Sequence, residues 1–536
     1  MNRADRLGSG TLHTDVLVIG GGPAATWAAE SAATAGVRVV LVDKGYCGAS
    51  GAAAASGNNV WYVPPGPQRE ASITKRADQA QGLADEGWMS RVVETTWERL
   101  FDLSDWGYPF PVDDGVQRRG SLQGPEYLRR MRRRVHRAGV QILDHHPALE
   151  LLVDDDGVVS GAAGIARQDG GRRWQIAAGA VVLATGGCAF LSGTFGTNVD
   201  TGDGHLMAAE AGAELSGMEF STHYGPSAAW GVHTKGRMLQ FATLFDEHGV
   251  RIDIPPGGSV RSVAMEREIA GERVYASLVD VPGHLRPMMR NSQPNFFIPL
   301  EKAGIDVFRD RYPLRMVYEG TVRGTGGLRI VGDDCRTTVP GLFAAGDAAT
   351  RELITGGVSG GGSHNAAWAI SSGTFAGRGA ARFAAGRGIR AAGRLQAIGG
   401  TGLRPQQRPV PGLAAIMVKA VQERILPPRL TARRTPEDLT ITEASMESLW
   451  QQARDHLAVD QLHDQGRELL KARQAAAMVA HLRWITASAL YRQESRGMHR
   501  RVDHPGRGDQ DHRILVGGLD TVRNRPEVES GERMAS

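Results

Sequence analysis

Thr14-Asp15-Val16-Leu17-Val18-Ile19-Gly20-Gly21-Gly22-Pro23-Ala24-Ala25 lies near the amino end of the chain and decides its fold. Val16 to Ile19 is a short, mostly β-branched apolar run, as a buried parallel strand requires. Gly20 permits a tight turn, Gly22 lets backbone approach a pyrophosphate, and the small Ala25 takes the third position, where helix and strand pack closely. After Pro23, the stretch Ala24 to Ala35 is rich in alanine and reads as a helix, with Gly36 as its stop. The amino end of that helix turns free N–H groups and its positive dipole end toward phosphate. Val37 to Val42 reads as the second strand. Asp43 and Lys44 follow it, Asp43 where an acid receives ribose hydroxyls, about 20 residues past the glycines. Each part is weak alone; strand, glycines, helix, strand and acid in this order are specific.

A second fragment lies far downstream, Thr338-Val339-Pro340-Gly341-Leu342-Phe343-Ala344-Ala345-Gly346-Asp347-Ala348-Ala349. Paired with the first, it points to FAD, with Gly346 and Asp347 closing on the ribityl and pyrophosphate. Val181 to Leu183 reads as a further buried strand leading into Ala184-Thr185-Gly186-Gly187, where glycine lets backbone pass close to a cofactor. Ser50, Gly51, Asp203 and Ser363 complete the expected cofactor contacts.

The chain has 536 residues, beyond the size at which one core stops growing, so two or three domains are expected. Net charge is +4 against 62 basic residues, which leaves no nucleic-acid footprint. Cys47, Cys188 and Cys335 are scattered, so neither an iron–sulfur cluster of its own nor a zinc site is expected, and no metal is assigned. Met1 to His13 lacks a secretory core, and no run approaches a membrane span. The expected location is the cytoplasm.

Tyr127 to Ala138 reads as a basic amphipathic helix, its arginines a solvated face, followed by a strand from Val140 to Leu143. Leu149 to Val153 and Val158 to Ala166 read as a hairpin about Asp154-Asp155-Asp156-Gly157. Leu206 to Ala211 reads as a helix. Glu443 to Leu457 and Asp460 to Ser488 read as amphipathic helices, and the polar tail after Asn524 as disordered. The expected domains are 1–217 and 325–386 for the cofactor, an insertion over 218–324, and a helical region over 387–536.

The order of fragments resembles the flavoprotein subunits of succinate dehydrogenase and fumarate reductase, with L-aspartate oxidase and adenylylsulfate reductase α as relatives. The matching pieces include Gly20 to Ala25, Ala184 to Gly187, Thr201-Gly202-Asp203-Gly204, Thr325-Gly326-Gly327-Leu328, Pro340 to Asp347 and Glu494-Ser495-Arg496-Gly497-Met498-His499. Within that superfamily, His223-Tyr224-Gly225-Pro226 with Ala229-Trp230, Ser363-His364-Asn365 and Ser371-Ser372-Gly373 are similar to adenylylsulfate reductase α. The resemblance implies an α/β fold: a discontinuous Rossmann-like FAD-binding domain, an inserted α+β capping domain and a helical C-terminal domain. It implies a FAD-dependent oxidoreductase acting on a small anionic substrate, carboxylate or sulfur-containing. The alternatives are an electron-transferring subunit beside a ferredoxin-like iron–sulfur partner and a flavin-binding protein without turnover. O₂ or a quinone is a further acceptor.

The departures are specific. The arginine–aspartate pair that donates a proton in fumarate reductases has no counterpart; Arg261 lies a few residues late. The substrate histidine before the threonine-x-glycine-glycine stretch is replaced by Arg323, and His223 or Tyr224 stands where a histidine-proline-threonine element would be. No histidine lies between Gly45 and Gly57, where succinate dehydrogenases attach flavin, so non-covalent FAD is expected. Arg323 is the leading substrate residue, since a fixed guanidinium can fork onto an anion. His364 is a candidate acid/base group or flavin partner. For His223 and Tyr224, packing weighs against catalysis. Arg496 and His499 read as interdomain pairs, and Arg286, Arg290, Arg311 and Arg315 as a mostly solvated basic face.

Overall fold

The computed structural model describes residues 11–233, 237–387, 394–458 and 465–528. Its central sheet is built on the strand Leu12–Ile19, which is buried from Val16 onward. This strand pairs parallel with Val39–Val42 on one side and Arg172–Leu183 on the other, Val16 standing opposite both Val39 and Ala180. Gln141–Leu143 continues the parallel set beyond Val39–Val42. Leu342–Ala344 joins the far half of Arg172–Leu183, Val181 opposite Leu342. The near half of that long strand pairs antiparallel with Val159–Ala166, which pairs in turn with Ala148–Val153 as the hairpin reading predicts.

Five parallel strands therefore end at one edge. Gly20, Asp43, Asp144, Ala184 and Ala345 are the first residues past them. In an open α/β sheet this carboxyl edge is where a ligand binds. The helix Pro23–Thr34 has no side-chain cap at its amino end, so its first N–H groups remain available there. It lies against the helix Gly361–Arg387, and glycine allows the close approach: a Cβ on Gly373 would stand 2.5 Å from Ala24 O, and one on Gly377 2.2 Å from Ala28 O.

The segment between Tyr224 and Tyr318, irregular in sequence, contains an antiparallel five-stranded sheet. Its strand Tyr224–Ala228 pairs with Tyr312–Tyr318. The carboxyl region holds the helices Leu413–Ile425, Pro436–His456 and Gln465–Tyr491. Pro436–His456 starts earlier than its apolar periodicity suggests, because the Thr435 side chain accepts from Asp438 N. Gln465–Tyr491 is buried nearly all round through its middle, Ala475 to Ala480 included, so it serves as a central helix rather than an amphipathic one. Its expected start at Asp460 lies outside the described residues.

The expected disorder after Asn524 is corrected in its first part. Arg523–Pro526 is a strand paired with Ile514–Gly517. Polar residues here serve ion pairs: Arg525 in the strand pairs with Glu214, and Glu527 just past it accepts from both Arg513 and Arg329. Residues 529–536 lie outside the described residues.

Candidate active site

A cavity of about 410 Å³ opens along the carboxyl edge of the parallel strands. Gly20, Gly22, Pro23, Ala24, Asp43, Lys44, Ser50, Gly51, Ala184, Thr185, Gly186, Asp203, Gly346 and Asp347 line it, as does Arg323 at another part of its wall. Ala25 and Ser363 are not in that lining. Ala25 is fully buried, as its packing role predicts. The Ser363 hydroxyl lies 3.1 Å from His364 Nδ1, while Gly362, Asn365, Ala366 and Ala369 form the face of this helix that lines the cavity.

The glycines show why other residues do not fit. A Cβ on Gly20 would stand 2.1 Å from Ala184 O, and one on Gly21 2.2 Å from Asp43 Oδ2. Gly22 instead faces open space with no atom within 4 Å of such a Cβ. Asp43 is buried, its carboxylate accepting from Ser50 Oγ at 2.7 Å; burial raises its pKa. Lys44 is engaged with protein: Nζ reaches Val199 O, Thr201 Oγ1 and Asp203 Oδ2 at 2.9, 2.6 and 2.5 Å. Thr185 Oγ1 and Asn365 Oδ1 are buried without a hydrogen-bond partner among the described residues. Buried polar atoms of this kind call for a ligand.

Near Arg323, strand pairing gathers the residues that local reading separates. Glu319 N donates to His223 O across the sheet, and His223 Nε2 lies 3.3 Å from Glu319 Oε2. Arg261, on the helix Val260–Ile269, brings Nη1 to 3.4 Å from both ring nitrogens of His223. Burial, then Arg261, Arg323 and Arg351, push His223 well below its ordinary pKa. The imidazole is therefore neutral at pH 7. Burial and the neighbouring Arg323 also lower the pKa of Arg261. Arg323 Nε is buried without a partner among the described residues. Glu319 was not expected at this site, and Arg261 was noted only as lying a few residues past the position of the family's arginine–aspartate pair; the fold of the five-stranded sheet brings both to His223.

The other sequence candidates lie elsewhere. Tyr224 is buried and points to the helical region, its hydroxyl meeting Thr431 Oγ1 and Leu426 O. A Tyr224→Phe substitution is expected to lower unfolding free energy by about 1 kcal/mol and leave turnover unchanged, measured by denaturant melts and steady-state rates. The His364 ring packs on Trp61 with centroids 4.5 Å apart, and Nδ1 meets Gly360 O at 2.8 Å. Burial first, then Arg76, lowers its pKa to about 4. Arg496 pairs with Glu494 at 2.8 Å, and Glu494 also binds Arg492, which holds Glu219 at 2.7 Å. His499 contacts Arg434 in the same buried web. Arg290 pairs with Glu301, Arg315 donates to Gly231 O, and neither lines the cavity. Tyr127 does line it, its hydroxyl accepting from Trp27 Nε1 at 2.6 Å, so the basic helix also has a ligand-facing residue.

A glycine turn and a glycine–aspartate loop meeting at one parallel-sheet edge define a dinucleotide-binding protein whose site is assembled from two distant segments. The chain belongs to the FAD binding domain family, which matches residues 15–365. Residues 423–519 match the fumarate reductase flavoprotein C-terminal family. L-aspartate oxidase of Streptomyces coelicolor is 27% identical, over 94% of this chain and 91% of that protein. The fumarate reductase flavoprotein subunit of Mycobacterium tuberculosis is 26% identical, over 93% of this chain and 94% of its own length. Among solved structures, an E. coli quinol fumarate reductase shares the fold with a TM-score of 0.80 at 21% identity, covering 98% of both chains. Adenylylsulfate reductase from Archaeoglobus fulgidus does so with a TM-score of 0.76 at 16% identity, covering 99% of this chain and 98% of that one.

The cofactor is therefore FAD, and the chain is a FAD-dependent oxidoreductase of the fumarate reductase and succinate dehydrogenase flavoprotein type. The residues present fit that group: close-approach glycines, open space at Gly22, and Thr185 Oγ1 and Asn365 Oδ1, which have no hydrogen-bond partner among the described residues, all belong to residues that line or flank one cavity. Among the described residues no helix is long and apolar enough to cross a membrane, and no group of three or more His, Cys, Asp or Glu is placed to hold a metal.

Proposed function

We propose that this oxidoreductase binds a small anionic substrate, a carboxylate or a sulfur oxyanion, between Arg323 and Arg261 beside His223. The carrying observation is Arg323 in the wall of the cofactor cavity, its Nε without a partner among the described residues, with Arg261 close enough that Arg323 lowers its pKa. Neighbouring buried cations repel one another, and an anion between them relieves this. FAD, held non-covalently, supplies hydride or electron acceptance and return.

The protein's part is proton movement and orientation. Glu319 beside His223 Nε2 favours the tautomer with its proton on Nε2, so that Nδ1, which Arg261 Nη1 approaches at 3.4 Å, is the ring atom that would accept a substrate proton. A bound anion would offset the repulsion of Arg261 and Arg323 that holds the ring neutral, so that in the oxidative direction His223 Nδ1 takes that proton while the hydride goes to the flavin, and in the reductive direction the imidazolium returns it. Arg261 faces the same ring and stabilises negative charge that develops on the substrate. His223 thus takes the acid/base role in place of the missing arginine–aspartate pair.

The test is anaerobic incubation of holoprotein with L-aspartate, succinate and other carboxylates, 2-hydroxy acids and sulfite, and of reduced protein with fumarate. One member is expected to change the flavin's redox state. Arg323→Met should then cut kcat/KM on the order of a hundredfold or more, mostly through KM, and His223→Gln should cut kcat. A flavin inert to every compound sinks the reading of an autonomous enzyme. Turnover that starts only when a ferredoxin-like iron–sulfur protein is added supports the partner-dependent alternative. Cytoplasmic residence belongs to this reading and is checked by fractionating the source cells.

A further inference from the structure

Arg351 does not line the cavity, yet it bonds to the lining residue Asp347 and to backbone next to the lining residues Val322 and Arg323. Its side chain is 1% exposed. One arm, Nη1, pairs with Asp347, the cavity-lining acid of the glycine–aspartate loop. The other arm, Nη2, donates to Thr321 O at 3.0 Å, to Val322 O at 3.2 Å and to Gly324 O. These carbonyls flank Arg323 on both sides, at the end of the short helix Gly320–Arg323. The main chain adds a further link, Arg351 N donating to Thr325 O at 2.8 Å.

We propose that Arg351 is a positioning residue that couples the two halves of the site: a cofactor that orders Asp347 also fixes the turn presenting Arg323 to the substrate anion. The inference rests on the anion-site reading of Arg323 given above. Three carbonyls converging on one guanidinium need its planar set of donors, and an ammonium at the same place serves the carboxylate but not the fork. Coupling of this kind is reciprocal, so an anion at Arg323 must tighten FAD as much as FAD tightens the anion. Arginine held only for packing predicts no such reciprocity.

The test titrates full-length apoprotein with FAD by flavin fluorescence, with and without saturating malonate as the carboxylate probe. In the wild type, malonate is expected to tighten FAD on the order of tenfold. Arg351→Lys, which still pairs with Asp347, should keep FAD affinity within about threefold and lose most of the malonate effect. Arg351→Met should weaken FAD on the order of tenfold and show no malonate effect. A Lys or Met variant that keeps the full malonate effect overturns the coupling, as does a Met variant that binds FAD like the wild type. The anion reading fails separately: malonate then leaves the flavin spectrum of wild-type holoprotein unchanged, as in Arg323→Met, and the coupling falls with it. In that case FAD affinity of Arg351→Met alone decides whether Arg351 orients Asp347.

Discussion

Gly20→Ala is expected to yield protein that emerges from gel filtration colourless and melts at lower temperature than the wild type. Two independent costs act at this position. The φ angle is +129°, a backbone conformation that side chains rarely adopt. A Cβ would also stand 2.1 Å from Ala184 O, just past the end of the neighbouring parallel strand. Neither atom can yield cheaply, because Ala184 N is itself bonded to Ile19 O and Ala184 begins another cavity-lining turn. The strand end must shift, and the whole cofactor edge with it. A loss of several kcal/mol is the scale for strain and overpacking combined. Gly22→Ala is the matched control. Its Cβ meets nothing within 4 Å in the protein alone, so the apoprotein should melt like the wild type while FAD affinity falls, because the methyl occupies the approach of the pyrophosphate. Equal apoprotein stability for both variants, or full flavin retention by Gly20→Ala, would contradict this account.

The contrast between these glycines also shows what the chain reveals locally. Gly20, Gly22 and Asp43 are legible in sequence because turn, helix and acid follow within one βα unit, where spacing alone sets geometry. Gly346 and Asp347 are legible for a similar reason, since they follow a short strand with only Ala345 between. Arg261, Glu319 and Arg351 are not. Glu319 meets His223 because two strands nearly a hundred residues apart pair antiparallel, and Arg261 arrives on a helix between them. Arg351 has one local partner, Asp347 four residues back, but its carbonyl partners come from another turn. Lys44 lines the cavity beside Asp43, but its ion pair with Asp203 cannot be read locally, because the fold brings that acid to it. The polar tail misleads in the same way, since Glu527 finds Arg329 and Arg513 only after folding.

Stability is expected to peak near pH 6.5 and to fall on both sides for different reasons. Burial lowers His205 and His364 from about 6.5 to about 4, and carries His223, His481 and His499 well below their ordinary value. A histidine with a depressed folded pKa gives stability that is full above 6.5 and lost as pH falls toward the folded value, because the unfolded chain takes up the proton first. Each contributes a slope of about 1.4 kcal/mol per pH unit in that window. Five together can exhaust a stability of about 5–15 kcal/mol within roughly two units. Glu352 acts in the opposite sense. Burial first, then the neighbouring Glu219, raises its pKa from 4.5 to about 8. Its stability is full below 4.5 and lost as pH rises toward 8. Between 4.5 and 6.5 the histidines outnumber it and stability climbs with pH; above 6.5 only its decline remains in this set. Denaturant melts of holoprotein from pH 5 to 8.5, at fixed salt and FAD, should trace this peak. Glu352→Gln keeps the neutral form's shape and should flatten the alkaline limb while leaving the acid limb steep. A flat profile between pH 5 and 6.5 refutes the histidine argument, and an alkaline limb that survives Glu352→Gln refutes the assignment of that limb to Glu352.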